Sequence, residues 1–159
     1  MGPMTAALHF VEYLAEFDQT PSIARIHRVQ VDLYGSLALT GIGHATDRAI
    51  LLGLSGNFPA KIDPADMESL IAKIRSLHVL KLNGTHPVAF DESTDLVFHR
   101  DTMFPPDSVT KHPNGMRFKA FDEAGSEVES QTWFSIGGGF VVSDGDDVPA
   151  PTQFAYSIP

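Results

Sequence analysis

The stretch MRFKAFDEAGSEVESQTWFSI, residues 116–136, predicts a β-hairpin. Met116, Phe118 and Ala120 alternate with basic side chains, which is the period of a strand that buries one face. The DEAG sequence at residues 122–125 supplies a turn, and a second strand-like run follows it to the end of the stretch. We therefore expect two neighbouring strands joined by this turn.

Elements of both types surround this hairpin. Apolar residues recur at helical spacing over residues 3–17, and a second helix is expected to begin at Asp63-Pro64-Ala65-Asp66 and to run to Leu77. Further predicted elements are strands around residues 29–33, 87–90 and 96–99 and a short helix over residues 45–54. Because helices and strands do not alternate regularly, the pattern favours a single α+β domain whose mixed β-sheet is covered by helices on one side.

The composition limits the classes of partner. The chain has 159 residues with 11 basic and 20 acidic side chains, which gives a net charge of -9. Nucleic acids and anionic membranes attract the opposite sign of charge, so neither is an expected partner. No apolar run approaches the roughly 18 residues of a membrane span. We expect a cytoplasmic protein, and whether it forms a homodimer stays open.

The chain has no cysteine. Disulfides, thiolate nucleophiles, cysteine zinc sites and cysteine-bound iron-sulfur clusters are therefore excluded for this chain by itself. Seven histidines are present, but neither HxH nor HExxH occurs, so no metal site is predicted.

The glycine-rich segment LYGSLALTGIGHATDR, residues 33–48, lies between a predicted strand and a predicted helix. Glycine permits close backbone approach, and a helix start offers free N–H donors to an anion such as a carboxylate. Ser36, His44, Thr46 and Asp47 are its candidate substrate or effector residues. The alternative is a tight connection in which the glycines serve only backbone conformation.

Two further segments carry candidate groups. In HPNGM, residues 112–116, the proline favours an extended His112 and Asn-Gly is a turn signal, so His112 and Asn114 could project from a rigid loop to exchange a proton or orient a carboxylate. A turn without chemistry is the alternative.

SIGGGF contains three successive glycines that mark either a bend or the approach of a ligand. Those three glycines are Gly137, Gly138 and Gly139.

Together these segments resemble the β domain of the iron-sulfur-dependent L-serine dehydratases, also called L-serine ammonia-lyases. The matching positions are Gly2-Pro3-Met4 with Ala6-Ala7, residues 33–48, residues 112–116 and residues 135–140. The family usually has a Gly-Pro-Ser-Ser-Ser-His-Thr-Val stretch before the Gly-Pro-Met, and its single-chain members continue into a catalytic α domain. We therefore expect an excised β domain at residues 1–142 and an acidic, proline-containing linker toward the absent α domain at residues 143–159.

The resemblance implies conversion of L-serine to pyruvate and ammonia, a reaction of amino-acid catabolism and gluconeogenesis. The resemblance also implies that a 4Fe-4S cluster is bound by cysteines of a partner α domain or subunit. We therefore expect this chain to carry no cofactor and to be inactive alone. The resemblance implies His112, Asn114 and His44 as catalytic candidates. It places His112 and Asn114 nearest the substrate, with His44 and Thr46 second.

Two other functions remain at this stage. The β domain also resembles the allosteric substrate-binding domain of some phosphoglycerate dehydrogenases, which implies a regulatory module that senses serine or another small anion and modulates a partner enzyme. A nucleotide-binding protein is disfavoured, because the glycine segment lacks both the P-loop and the GxGxxG spacing.

Overall fold

Seven strands form one open mixed sheet in the computed structural model, which describes residues 2–16, 25–40, 46–56, 63–137 and 140–145. The helices are α1 (Gly2–Glu16), α2 (Gly35–Thr40), α3 (Thr46–Leu54), α4 (Pro64–Leu77) and α5 (Glu92–Asp95). The strands are β1 (Arg28–Tyr34), β2 (Val79–Leu82), β3 (His86–Ala89), β4 (Leu96–His99), β5 (Gly115–Phe121), β6 (Glu127–Gly137) and β7 (Phe140–Ser143). The strand order is β2-β3-β1-β5-β6-β7, and β4 also pairs with β1.

Strand β1 lies at the centre of this sheet. It pairs with β5 in antiparallel register from Arg28 opposite Phe121 to Leu33 opposite Met116. On its other side it runs parallel to β3 at its start and parallel to β4 from Val31 onward. The predicted hairpin is confirmed, because β5 and β6 are antiparallel neighbours.

The helices pack against one face of the sheet. Val29, Val31 and Leu33 are fully buried and belong to one hydrophobic core with residues of α1, α3 and α4. Burial of each such side chain stabilises the fold by about 1.5–3 kcal/mol. The residues between them on β1 point to the opposite face, where Gln30 is half-buried and Asp32 joins a polar network. The predicted α+β domain with helices on one side of a mixed sheet is confirmed.

Helix α4 begins where its acidic start signal predicts. Asp63 has an extended backbone, and its Oδ1 accepts a hydrogen bond from Ala65 N–H at 2.9 Å, while Pro64 occupies the first helical position. His78 ends the helix in the left-handed conformation with φ of 55°. The helix is therefore set by local capping at both ends.

Four short elements differ from the prediction. Helix α2 forms inside the glycine-rich segment that was predicted as a connection, and β2, α5 and β7 were not predicted. Each has four to six residues, too few to show a helical or alternating period clearly. Residues 143–145 of the predicted linker are described and follow or complete β7, whereas residues 146–159 lie outside the described residues. No helix in the described part of the chain has the length and apolarity of a membrane span.

Candidate functional site

The HPNG turn at residues 112–115 is bonded to strand β6. Asn114 N–H donates to Nδ1 of His112 at 3.2 Å, and the Asn114 carboxamide Nδ2 donates to the Ser135 carbonyl oxygen at 3.3 Å. Ser135 N–H returns a hydrogen bond to the Asn114 carbonyl oxygen at 3.0 Å. Hydrogen bonds therefore hold both candidate residues of the turn. His112 is bonded within the turn, and Asn114 is bonded to Ser135 of the sheet.

The protonation of His112 follows from these contacts. Partial burial lowers the pKa of its imidazole below the ordinary value of 6.5, and its ring meets the edge of the Phe134 ring at a centroid distance of 6.2 Å. Because Nδ1 accepts the Asn114 N–H, the neutral ring carries its proton on Nε2. Among the described residues, Nε2 has no hydrogen-bond partner. In this state, His112 offers a donor rather than a base.

The start of α2 lies directly against the same turn. Gly35 has a φ of +57°, and a Cβ at this position would overlap the carbonyl oxygen of Pro113. Its N–H donates to Thr102 O at 2.9 Å, and Ser36 N–H donates to Pro113 O at 2.7 Å. The close approach explains why the glycine-rich segment has glycine at its first helical position.

The N-terminus of α1 completes this end of the sheet. A Cβ on Gly2 would overlap the side chain of Ser135, the residue that holds Asn114. Pro3, next along the chain, lines a cavity of about 250 Å³ together with Thr46 and Arg48. The helix start therefore contacts the HPNG turn's support on one side and the start of α3 on the other.

The predicted residues at the start of α3 have different roles. The side chain of Thr46 is half-buried at the cavity. Both carboxylate oxygens of Asp47 already have hydrogen-bond donors. Oδ1 accepts Arg48 N–H at 2.9 Å, and Oδ2 accepts a hydrogen bond from Arg75 Nη2 at 3.2 Å. Arg48 forms an ion pair with Glu68. These pairs leave no unpaired charge among the described groups of this helix start to bind a carboxylate.

Three predicted residues lie together at the HPNG turn: Ser36, His112 and Asn114. Asn114 bonds His112 directly, and Ser36 N–H bonds the carbonyl oxygen of Pro113, which lies between them in the chain. Gly137 lies in β6 opposite Phe140 of β7. His44, Gly138 and Gly139 lie outside the described residues. Sequence reasoning did not identify Gly35 or Ser135 individually, although both stand in the quoted segments. The signal for Gly35 was its position directly after a strand.

A second polar cluster lies on the opposite face of the sheet. Asp32 is 3% exposed and its Oδ1 lies 2.8 Å from Nε2 of His99, whose ring stacks on Tyr34 at 4.7 Å. Burial, with Asp32 nearby, raises the pKa of Tyr34 to about 12 against an opposing effect of Arg117. His99 thus contacts both of the other side chains, Asp32 through a hydrogen bond and Tyr34 through ring stacking.

The residues of this chain do not fit an iron-sulfur cluster. The sequence has no cysteine, and no three or more histidine, aspartate or glutamate side chains gather as a metal site within the described residues. Thiolates are the ligands that such clusters require.

Comparison with known proteins gives a consistent match. The family described as serine dehydratase beta chain matches residues 1–146. An L-serine dehydratase of Streptomyces coelicolor is 40% identical over 144 residues, which cover 91% of this chain and 30% of the relative. An L-serine dehydratase of Haemophilus influenzae is 39% identical over 145 residues, with the same coverage of 91% and 30%. L-serine dehydratase 2 of Escherichia coli is 40% identical over 161 residues, covering 98% of this chain and 33% of the relative.

Proposed function

Because this chain belongs to the serine dehydratase beta chain family, we propose that it is the non-cluster part of an enzyme that converts L-serine to pyruvate and ammonia. The chain spans about a third or less of the curated relatives that it matches, and we infer that a further part of such an enzyme completes the site. The observation that carries the proposal is the match over residues 1–146, within which Ser36, His112 and Asn114 meet.

The partner is an α domain or subunit that binds a 4Fe-4S cluster through its own cysteines. This division of labour is supported by the absence of cysteine from this chain. When bound, such a cluster supplies a Lewis acid that polarises the leaving hydroxyl of serine. We place the assembled enzyme in the cytoplasm. A chain without cysteine forms no disulfide, so this chain does not need an oxidising compartment.

The HPNG turn suits the charged groups of an amino acid. The Nε2–H of His112 can donate to a carboxylate oxygen, while the carboxamide oxygen of Asn114 can accept from an ammonium group, since its Nδ2 is already bonded to Ser135 O. Both groups are held by the protein before substrate arrives, so binding requires little reorganisation. We assign His112 and Asn114 to binding and orienting L-serine, with the reacting bonds placed toward the α domain.

The decisive experiment replaces the matching segment of the Streptomyces coelicolor enzyme with this chain. We expect the hybrid to form pyruvate from L-serine, and this chain alone to form none. In the hybrid, His112→Gln should lower kcat/KM by about 100-fold, the scale observed when a preorganised hydrogen-bond donor is removed. His27→Gln is the matched control, because His27 is exposed and bonds Phe121 O only through its backbone. Equal effects of the two substitutions would contradict the assignment.

The cavity at Thr46 is the candidate place for a second function, the sensing of serine, in which the half-buried Thr46 rather than an unpaired charge would contact the ligand. It is lined by the starts of α1 and α3, and His112 is not among its lining residues. A ligand there would act on the position of α1 rather than on the reacting bonds. In the hybrid, Thr46→Val should then change the sigmoidicity or midpoint of the serine dependence while leaving the maximal rate. Loss of the maximal rate would instead assign Thr46 to the reaction site.

A further inference from the structure

The loop over residues 100–114 connects β4 to β5 and ends in the HPNG turn. It contains no helix or strand, so its shape depends on individual hydrogen bonds. Gly35 N–H fixes its beginning at Thr102, and Ser135 N–H fixes its end at Asn114. The groups that fix its middle decide the direction from which the chain enters His112.

Asp144, at the end of β7, is one of these groups. Its carboxylate accepts the N–H of Val109 at 3.0 and 3.2 Å and the N–H of Thr110 at 2.8 Å. Its own N–H donates to Thr132 O at 2.9 Å, and Gly145 N–H donates to Thr110 Oγ1 at 3.1 Å. Partial burial alone would raise the pKa of Asp144, but the N–H groups of Thr110 and Val109 outweigh it and lower that pKa. The carboxylate is therefore ionised at neutral pH and forms strong charge-assisted bonds.

Arg117 holds the same loop from the neighbouring strand. Its Nη2 donates to Pro106 O at 2.6 Å and its Nε donates to Thr132 Oγ1 at 2.9 Å. Thr132 thus receives both anchors, the arginine on its hydroxyl and the backbone of Asp144 on its carbonyl oxygen. The middle of the loop is attached to one point of β6 by two oppositely charged side chains.

We propose that Asp144 is a positioning residue for His112. Thr110 stands two residues before His112, so displacement of Thr110 changes the entry of the chain into the turn and the alignment of the imidazole Nδ1 with Asn114 N–H. Asp144 acts on the histidine through the backbone and touches no substrate. The consequence for catalysis rests on the proposed function, whereas the effect on the ring of His112 does not.

The test compares Asp144→Asn with Asp122→Asn. Asp122 is a matched control, since its Oδ1 also accepts two backbone N–H groups, those of Ala124 at 3.0 Å and Ser126 at 2.9 Å, but in the β5–β6 turn. Two-bond ¹H–¹⁵N spectra of the full chain report which imidazole nitrogen of His112 carries the proton. We expect the Nε2–H form in the unaltered chain and in Asp122→Asn, and a mixture of both tautomers in Asp144→Asn. Asp144→Glu, which keeps the charge, should recover the Nε2–H form in part.

In the hybrid enzyme, Asp144→Asn should lower kcat by about tenfold and Asp122→Asn by less than about twofold, because a small misplacement of an orienting group is costly. An inactive hybrid with the tautomer change intact overturns the proposed function and keeps the positioning role. An unchanged tautomer in Asp144→Asn overturns the positioning role. If that variant does not fold, amide exchange of the unaltered chain decides: protected Val109 and Thr110 N–H groups support the anchor, and exchange at peptide rates refutes it.

Discussion

Asn114 N–H donates a hydrogen bond of 3.2 Å to His112 Nδ1 within a single turn. The orientation of the imidazole therefore depends on the backbone of that turn. The same asparagine is bonded to Ser135 through both its side chain and its carbonyl oxygen. The orientation of the ring therefore depends on β6 as well as on the turn. A substitution that weakens the bonds between the HPNG turn and β6 should therefore change the orientation of the His112 ring, even where the substituted residue does not contact His112.

The first prediction concerns the titration of His112. Burial lowers the pKa of its imidazole, so NMR titration should give a value below 6.5. A histidine with a lower pKa in the folded state contributes stability above its unfolded pKa, and this contribution is lost as the pH falls from 6.5 through the folded value. The free energy of unfolding should decrease less over that interval in His112→Gln. A measured pKa at or above 6.5 would contradict the assignment.

The second prediction concerns Gly35. Alanine there would combine a φ of +57° with overlap between its Cβ and the carbonyl oxygens of Pro113 and Met103, so we expect a loss of about 3 kcal/mol or more in urea unfolding. Gly125→Ala is the control, because Gly125 has a φ of +82° but open space around it, which predicts about 1–2 kcal/mol. Similar losses of unfolding free energy in the two variants would show that the HPNG turn does not limit the space at the start of α2.

Sequence reasoning recovered the elements whose signals are local. The alternation at Met116, Phe118 and Ala120 gave β5, and the acidic start at Asp63 gave α4. Neither alternation nor capping specifies contacts between distant segments. The approach of Gly35 to Pro113, and the bond from Asp144 to Thr110, join residues far apart in the chain. Nothing in the neighbouring sequence of either residue encodes its partner, so the support of the candidate site emerged only from the structure.

Asp47 shows a second limit of the sequence. The pattern makes this residue a candidate substrate or effector group, but it does not say whether the carboxylate is free or paired. The structure engages its carboxylate with Arg75 Nη2 and Arg48 N–H. Whether an acid is free or paired depends on α4, which packs against α3 from a later part of the chain.

The third prediction tests the helix start at Asp63. Asp63→Ala removes the acceptor of Ala65 N–H and should reduce the free energy of unfolding by about 1 kcal/mol, the usual contribution of an N-cap. Asp66→Ala, three residues into the same helix, keeps the cap and loses only a favourable charge near the helix start, so we expect a loss of about 0.3–1 kcal/mol. Urea unfolding of the two variants provides the measurement. A larger loss for Asp66 than for Asp63 would refute the capping role.

The last prediction concerns the pair formed by Asp32 and His99, on the face of the sheet opposite Val29, Val31 and Leu33. Asp32 accepts from His99 Nε2 at 2.8 Å and from Gln30 Nε2 at 3.2 Å, and Lys119 Nζ lies 3.8 Å away. Because Asp32 is buried, Asp32→Asn should weaken every one of these contacts and cost about 1–3 kcal/mol. A double-mutant cycle with His99→Gln isolates the pair, and we expect a coupling free energy of about 1 kcal/mol or more, as for residues in one network. Additive losses would mean that His99 contributes through its stacking on Tyr34 and not through the carboxylate.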